Sequence, residues 1–123
     1  GVMQFNFYAQ RIFVTRFEAA VGFYSQALEI EPEFVDADMG WAEFNLGAAK
    51  LAVELIDADS EEAQELVGRF IGLSLQVEDV NKAYEAMISR GIEFAAPPEK
   101  QPWSGTLAHF KDLEGNVISV FSV

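Results

Sequence analysis

The chain has 123 residues, with twenty Asp and Glu against eight Lys and Arg, a formal charge of −12 and a sequence pI of about 4.3. With no basic run to neutralise phosphates, nucleic acid and anionic membrane are excluded as natural partners, and cations are the expected charged ones. The absence of Cys removes disulfides, thiolate metal sites and cysteine nucleophiles, so stability must come from packing. No apolar run approaches the roughly 20 residues of a spanning helix, and the start, GVMQFNFYAQ, lacks the basic and apolar segments of a signal peptide. The expectation is one cytoplasmic domain over residues 1–123.

In chain order, Met3–Val14 reads as a strand rich in aromatic and branched residues. A helix begins at Phe17, because Phe17, Ala20, Val21, Tyr24, Ala27 and Leu28 recur at three- and four-residue spacing, and Pro32 follows its end. Three strands are expected next, at Glu33–Asp38, Trp41–Leu46 and Lys50–Ile56, punctuated by Met39-Gly40 and Gly47. Asp57–Gly68 is acidic and polar, a linker with room for one helical turn. A strand at Arg69–Val77 leads into a helix carrying Val80, Ala83, Tyr84, Met87 and Ile88, with Asp79 as N-cap, Arg90 in its last turn and Gly91 as its stop. Strands at Ile92–Ala95, Thr106–Lys111 and Asn116–Val123 complete the chain.

The order strand, helix, three strands thus occurs twice. A shift of 63 positions carries Val14 onto Val77, Phe17 onto Val80, Ala20 onto Ala83 and Tyr24 onto Met87, so both helices keep the same buried stripe. The fold class is therefore α+β: two tandem βαβββ modules, residues 3–56 and 69–123 joined by 57–68, forming a curved, cup-shaped mixed sheet with helices outside.

That architecture, with FEAAVGFYSQALEIEP (17–32), FNLGAAKLAVEL (44–55) and PWSGTLAHFKDLEGNVISVFSV (102–123), resembles the vicinal oxygen chelate superfamily, which holds glyoxalases, bleomycin-resistance proteins and ring-cleaving dioxygenases. The resemblance implies a divalent metal held by four inward side chains, which would fall on Ala9, Glu54, Gly72 and Ser119. Only Glu54 of these could bind a metal. One carboxylate cannot displace enough water to hold Zn²⁺, Mn²⁺ or Fe²⁺, so no metal or other cofactor is expected.

Strand alternation sorts the concave positions. Phe5, Phe7, Ala9 and Arg11 share this parity on the first strand, and Trp41, Glu43 and Asn45 on the third. Lys50, Ala52, Glu54 and Ile56 follow on the fourth, and Gly72, Ser74 and Gln76 on the fifth. His109, Val117, Ser119 and Phe121 come from the last two strands. With Trp103 nearby, the expected ligand-binding set is Phe7, Arg11, Trp41, Glu43, Glu54, Gln76, Trp103, His109 and Phe121: aromatic walls with sparse polar handles.

Each residue also has a plainer role. Trp41 and Trp103 suit packing or an interface, Phe5 and Phe7 a core, Glu54 an ion pair with Arg11 or Lys50, and His109 a hydrogen-bonded strand position. The acids of residues 29–38 suit a solvated edge. No Ser-His-acid elbow or phosphate loop is present.

The leading expectation is a metal-independent, homodimeric binding protein of the bleomycin-resistance type, sequestering a small organic ligand. The alternative is a glyoxalase-like lyase or isomerase using Glu54 and His109 in acid–base chemistry. The overall acidity points to a cationic ligand, yet only Glu43 and Glu54 of the twenty acids are expected on the concave side.

Overall fold

The first strand begins later than alternation suggests. In the computed structural model, which describes residues 3–123, β1 is Ala9–Val14, and residues 3–8 lie outside any strand. Its partner β4 (Lys50–Leu55) runs parallel to it from Ala9 opposite Lys50 to Val14 opposite Leu55, and the Lys50 amide still reaches the Tyr8 carbonyl. Before Lys50 the chain turns through Gly47, whose φ of 96° suits glycine, so nothing on β4 remains to pair with Phe5 or Phe7. Both side chains are exposed, at 86% and 69%.

The helix α1 spans Phe17–Leu28, as its spacing predicts, and buries Phe17, Ala20, Tyr24 and Ala27. It is followed by β2 (Phe34–Asp36) and β3 (Trp41–Asn45), giving a sheet in the order β1-β4-β3-β2. Ile12, Val14, Ala42, Phe44, Leu51 and Val53 form its apolar face; Tyr24 meets the Phe44 ring with centroids 6.4 Å apart. Burying one such aromatic side chain is worth roughly 1.5–3 kcal/mol. The alternate residues Arg11, Phe13, Trp41, Glu43, Ala52 and Glu54 therefore turn away from α1, and a one-residue slip in register would exchange the two sets.

The polar stretch after β4 contains a short helix, α2 (Glu61–Leu66), beginning where Ser60 Oγ accepts the Ala63 amide at 3.2 Å. The chain divides into two compact units between Glu65 and Leu66.

The second unit contains β5 (Phe70–Gln76), α3 (Val80–Ser89), β6 (Glu93–Phe94), β7 (Glu99–Lys100), β8 (Thr106–Lys111) and β9 (Val117–Ser122). The order β5-β9-β8-β6 repeats that of the first sheet, with β5 and β9 parallel like β1 and β4. The two sheets are both mixed, as the duplicated pattern predicts. The strand β7 was not expected; it pairs with β8 through backbone groups, which its charged sequence does not advertise. Asp79 caps α3 by accepting the Asn81 and Lys82 amides at 3.0 and 3.2 Å, and the buried Val80 amide donates to Ser122 Oγ at 3.0 Å.

The fifth strand departs from simple alternation. Phe70 faces Val117 and Ser74 faces Ser119, so four steps on β5 match two on β9, and Gly72 takes a φ of 80° inside this bulge. A further tie closes the unit at the Asp112-Leu113-Glu114-Gly115-Asn116 turn. Asn116, fully buried, accepts the Gly68 amide at 2.8 Å and donates to Asp112 Oδ2 at 2.9 Å.

Candidate functional site

On the first sheet, strand parity collects a polar group on the face turned from α1. Glu43 sits at its centre on β3, nearly buried at 9% exposure, and its Oε2 accepts from both the Tyr8 hydroxyl and Trp41 Nε1 at 2.7 Å. Lys50 approaches Glu43 Oε1 at 3.5 Å while bonding Glu33 at 2.8 Å, and its ammonium lies 5.9 Å from the Tyr8 ring centroid. The two hydrogen bonds favour the ionised form, so the Glu43 carboxyl is held below the usual carboxylate range, with Tyr8 as the larger cause and Trp41 next. The same contact pushes the Tyr8 hydroxyl up, and Glu33, ahead of Glu43, pushes the Lys50 ammonium up.

Arg11 and Glu54 form the second group on this face. Arg11 Nε donates to Glu54 Oε1 at 2.8 Å, and the guanidinium carbon lies 5.0 Å from the centroid of the Phe13 ring. Hydrogen bonding to Glu54 and its charge hold the guanidinium even more firmly protonated than usual. Of the two partners open to Glu54 on sequence grounds, Arg11 is the one it takes. Phe7, expected beside Arg11, lies outside the sheet.

On the second sheet, His109 and Ser119 stand opposite each other on β8 and β9, with His109 Nδ1 and Ser119 Oγ 2.8 Å apart. The Phe70 ring packs edge-on to the imidazole at 5.9 Å, and Trp103 meets Phe121 edge-on at the same centroid distance. Trp103 is half exposed and lies over Gly105, where any Cβ would collide with the indole. Gln76 pairs with Phe121 in the β5–β9 register and is exposed.

Tyr8, Phe13 and Phe70 belong to these groups but were not singled out in the sequence. Phe13 and Phe70 share the parity of Arg11 and Ser74, so extending the alternation by one pair finds them. Nothing local marks Tyr8, whose hydroxyl crosses from outside the strand to reach Glu43.

The metal implied by the resemblance does not fit these residues. Ala9 offers no donor, Gly72 is a bulge glycine, Ser119 is bonded to His109, and Glu54 is paired with Arg11. No group of three or more His, Asp or Glu able to hold a metal occurs among the described residues. No helix of those residues is long and apolar enough to cross a membrane.

The glyoxalase/bleomycin resistance protein/dioxygenase superfamily model matches residues 4–120. The chain belongs to this superfamily. Among curated relatives, the uncharacterised protein YraH of Bacillus subtilis is 29% identical, over 92% of this chain and 94% of its own. A superfamily member from Sphaerobacter thermophilus superposes with a TM-score of 0.82 at 27% identity, covering 99% of this chain and 100% of its own. TnmS3, an antibiotic-binding protein from Streptomyces sp. CB03234, shares the fold with a TM-score of 0.77 at 22% identity, covering 99% and 98%.

Proposed function

We propose that the chain is a metal-independent small-molecule binding protein that holds an organic, aromatic ligand against the aromatic-lined faces of its sheets. The observation that carries this reading is the engagement of Glu54 by Arg11 at 2.8 Å, which gives the one carboxylate among the four expected metal positions an internal cation as partner. Indole, phenyl and imidazole rings flank sparse polar groups, the composition of an organic-ligand site. The antibiotic-binding role of TnmS3 supports it by analogy of fold alone.

Both concave acids named from sequence are bonded to partners of the same chain, which favours recognition through ring faces over recognition of a bare cation. Acid–base catalysis by Glu54 and His109 is the weaker reading, because Glu54 would first have to leave Arg11 and His109 is held by Ser119. The protein acts as a homodimer in the cytoplasm on this proposal, the exposed Met3, Phe5 and Phe7 supplying apolar surface for association.

The test is calorimetric titration with a panel of planar aromatic compounds that are cationic, neutral or anionic, without added metal. Saturable binding weakened by Trp41→Ala or Trp103→Ala is expected. No binding across the panel, or binding only when a divalent metal is supplied, would overturn the proposal.

A further inference from the structure

We infer that Arg11 anchors a carboxylate, or an equivalent planar oxyanion, of the bound ligand. The inference rests on the small-molecule-binding reading and adds the chemistry of the ligand's polar group.

The charged groups on this face of the first sheet differ in how many hydrogen-bond donors they still offer a ligand. Glu43 takes two donors on one oxygen and faces Lys50 with the other. Lys50 is shared between Glu33 and Glu43. Glu54 accepts from Arg11. Arg11 retains the most donors, because a guanidinium carries five N–H groups and its bond to Glu54 leaves from Nε. A carboxylate at Nε approaches the guanidinium from its side, whichever way its second oxygen turns. The end-on pair of N–H groups, one on each terminal nitrogen, is left for another acceptor.

That pair matches the spacing of two carboxylate oxygens, and two parallel N–H···O bonds give orientation as well as affinity. The Arg11 side chain is 54% exposed, so a ligand can reach it. It is also held in place: Glu54 fixes the Nε edge and the Phe13 ring lies beneath the guanidinium, 5.0 Å from its carbon. A side chain already restrained loses less conformational freedom when a ligand arrives. Trp41 pairs with Glu54 in the register of β3 and β4, on the same face as Arg11, and offers an aromatic surface for the body of such a ligand.

Glu54 repels a second carboxylate, but the two anions would sit on different edges of one cation, so each lies closer to the positive charge than to the other anion. The net charge of −12 opposes the approach of any anion, yet at physiological salt its field is screened over about 8 Å. A bidentate contact acts inside that range.

Three probes of one shape separate the possibilities: 2-naphthoate, neutral 2-naphthamide and cationic 2-naphthylmethylammonium, titrated near neutral pH and followed by calorimetry and Trp fluorescence. The naphthoate is expected to bind about tenfold more tightly than the other two, as a bidentate charge-assisted pair requires. Arg11→Lys should remove that advantage, since an ammonium cannot present the fork, and should lower the affinity for naphthoate far more than that for naphthamide. Glu54→Gln keeps an acceptor for Nε and removes the repelling charge, so naphthoate should bind more tightly to it. Thermal melting of each variant reports that the fold is retained.

Equal binding of all three probes, weakened throughout by Trp41→Ala, would overturn the Arg11 assignment and leave the small-molecule-binding reading standing. So would naphthoate binding that is indifferent to Arg11→Lys and Arg11→Met. Failure of all three probes to bind would count against both.

Discussion

Tyr8 and Trp41 donate to the same oxygen of Glu43, each at 2.7 Å, although Tyr8 is 35 residues away in sequence. This junction ties the segment entering β1 to the middle of β3. Because the folded Glu43 carboxyl lies below its unfolded value, the stabilisation is present above the ordinary carboxylate pKa and is lost as pH falls through the lowered one. Tyr8 and Lys50 are shifted up, so their contributions are complete below their ordinary values and disappear as pH rises through the raised ones. Thermal melting across pH should show a plateau between an acid and an alkaline decline. Glu43→Gln should cost about 1–2 kcal/mol at neutral pH, the difference from wild type narrowing on acidification.

Asn116 is the second long-range tie. Asn116→Asp replaces a donor 2.9 Å from Asp112 with a second carboxylate and leaves two buried anions facing each other. A loss of about 3 kcal/mol in chemical denaturation near neutral pH is expected, with partial recovery in acid as the pair takes up a proton. Asn116→Leu should lose a comparable amount without that recovery.

The elements read most accurately from sequence were those set by local pattern. Phe17 and Val80 open the two helices where the apolar spacing begins, and Asp79 caps because its carboxylate reaches amides two and three residues on. Strand alternation also grouped Arg11 with Glu54, Trp41 with Glu43 and His109 with Ser119, pairs that meet in the structure. What local pattern could not supply was partnership. The sequence around Phe5 and Phe7 continues the strand alternation, but β1 begins only where β4 offers backbone to pair with. Tyr8 and Glu43 meet through folding and leave no signal in their own neighbourhood.

Gly105→Ala tests whether the exposed indole of Trp103 is positioned by its neighbour. The added methyl would collide with the ring and drive it from Phe121. The expected result is a red-shifted Trp emission and weaker aromatic-ligand binding, with secondary structure by circular dichroism unchanged.

Ser119→Ala removes the only hydrogen-bond partner of His109 Nδ1 among the described residues. Long-range nitrogen–proton NMR should show one dominant His109 tautomer in the wild type and a mixture in the variant. A stability loss of about 1 kcal/mol or less is expected, as for a single neutral hydrogen bond.

Metal independence is tested most directly by native mass spectrometry of the purified chain after incubation with Zn²⁺, Mn²⁺ and Fe²⁺. The bare chain mass, alone or with a retained organic molecule, is the expected result, and Glu54→Gln should not alter it. One divalent metal per chain, lost on Glu54→Gln, would contradict the pairing of Glu54 with Arg11 as the resting state of this site.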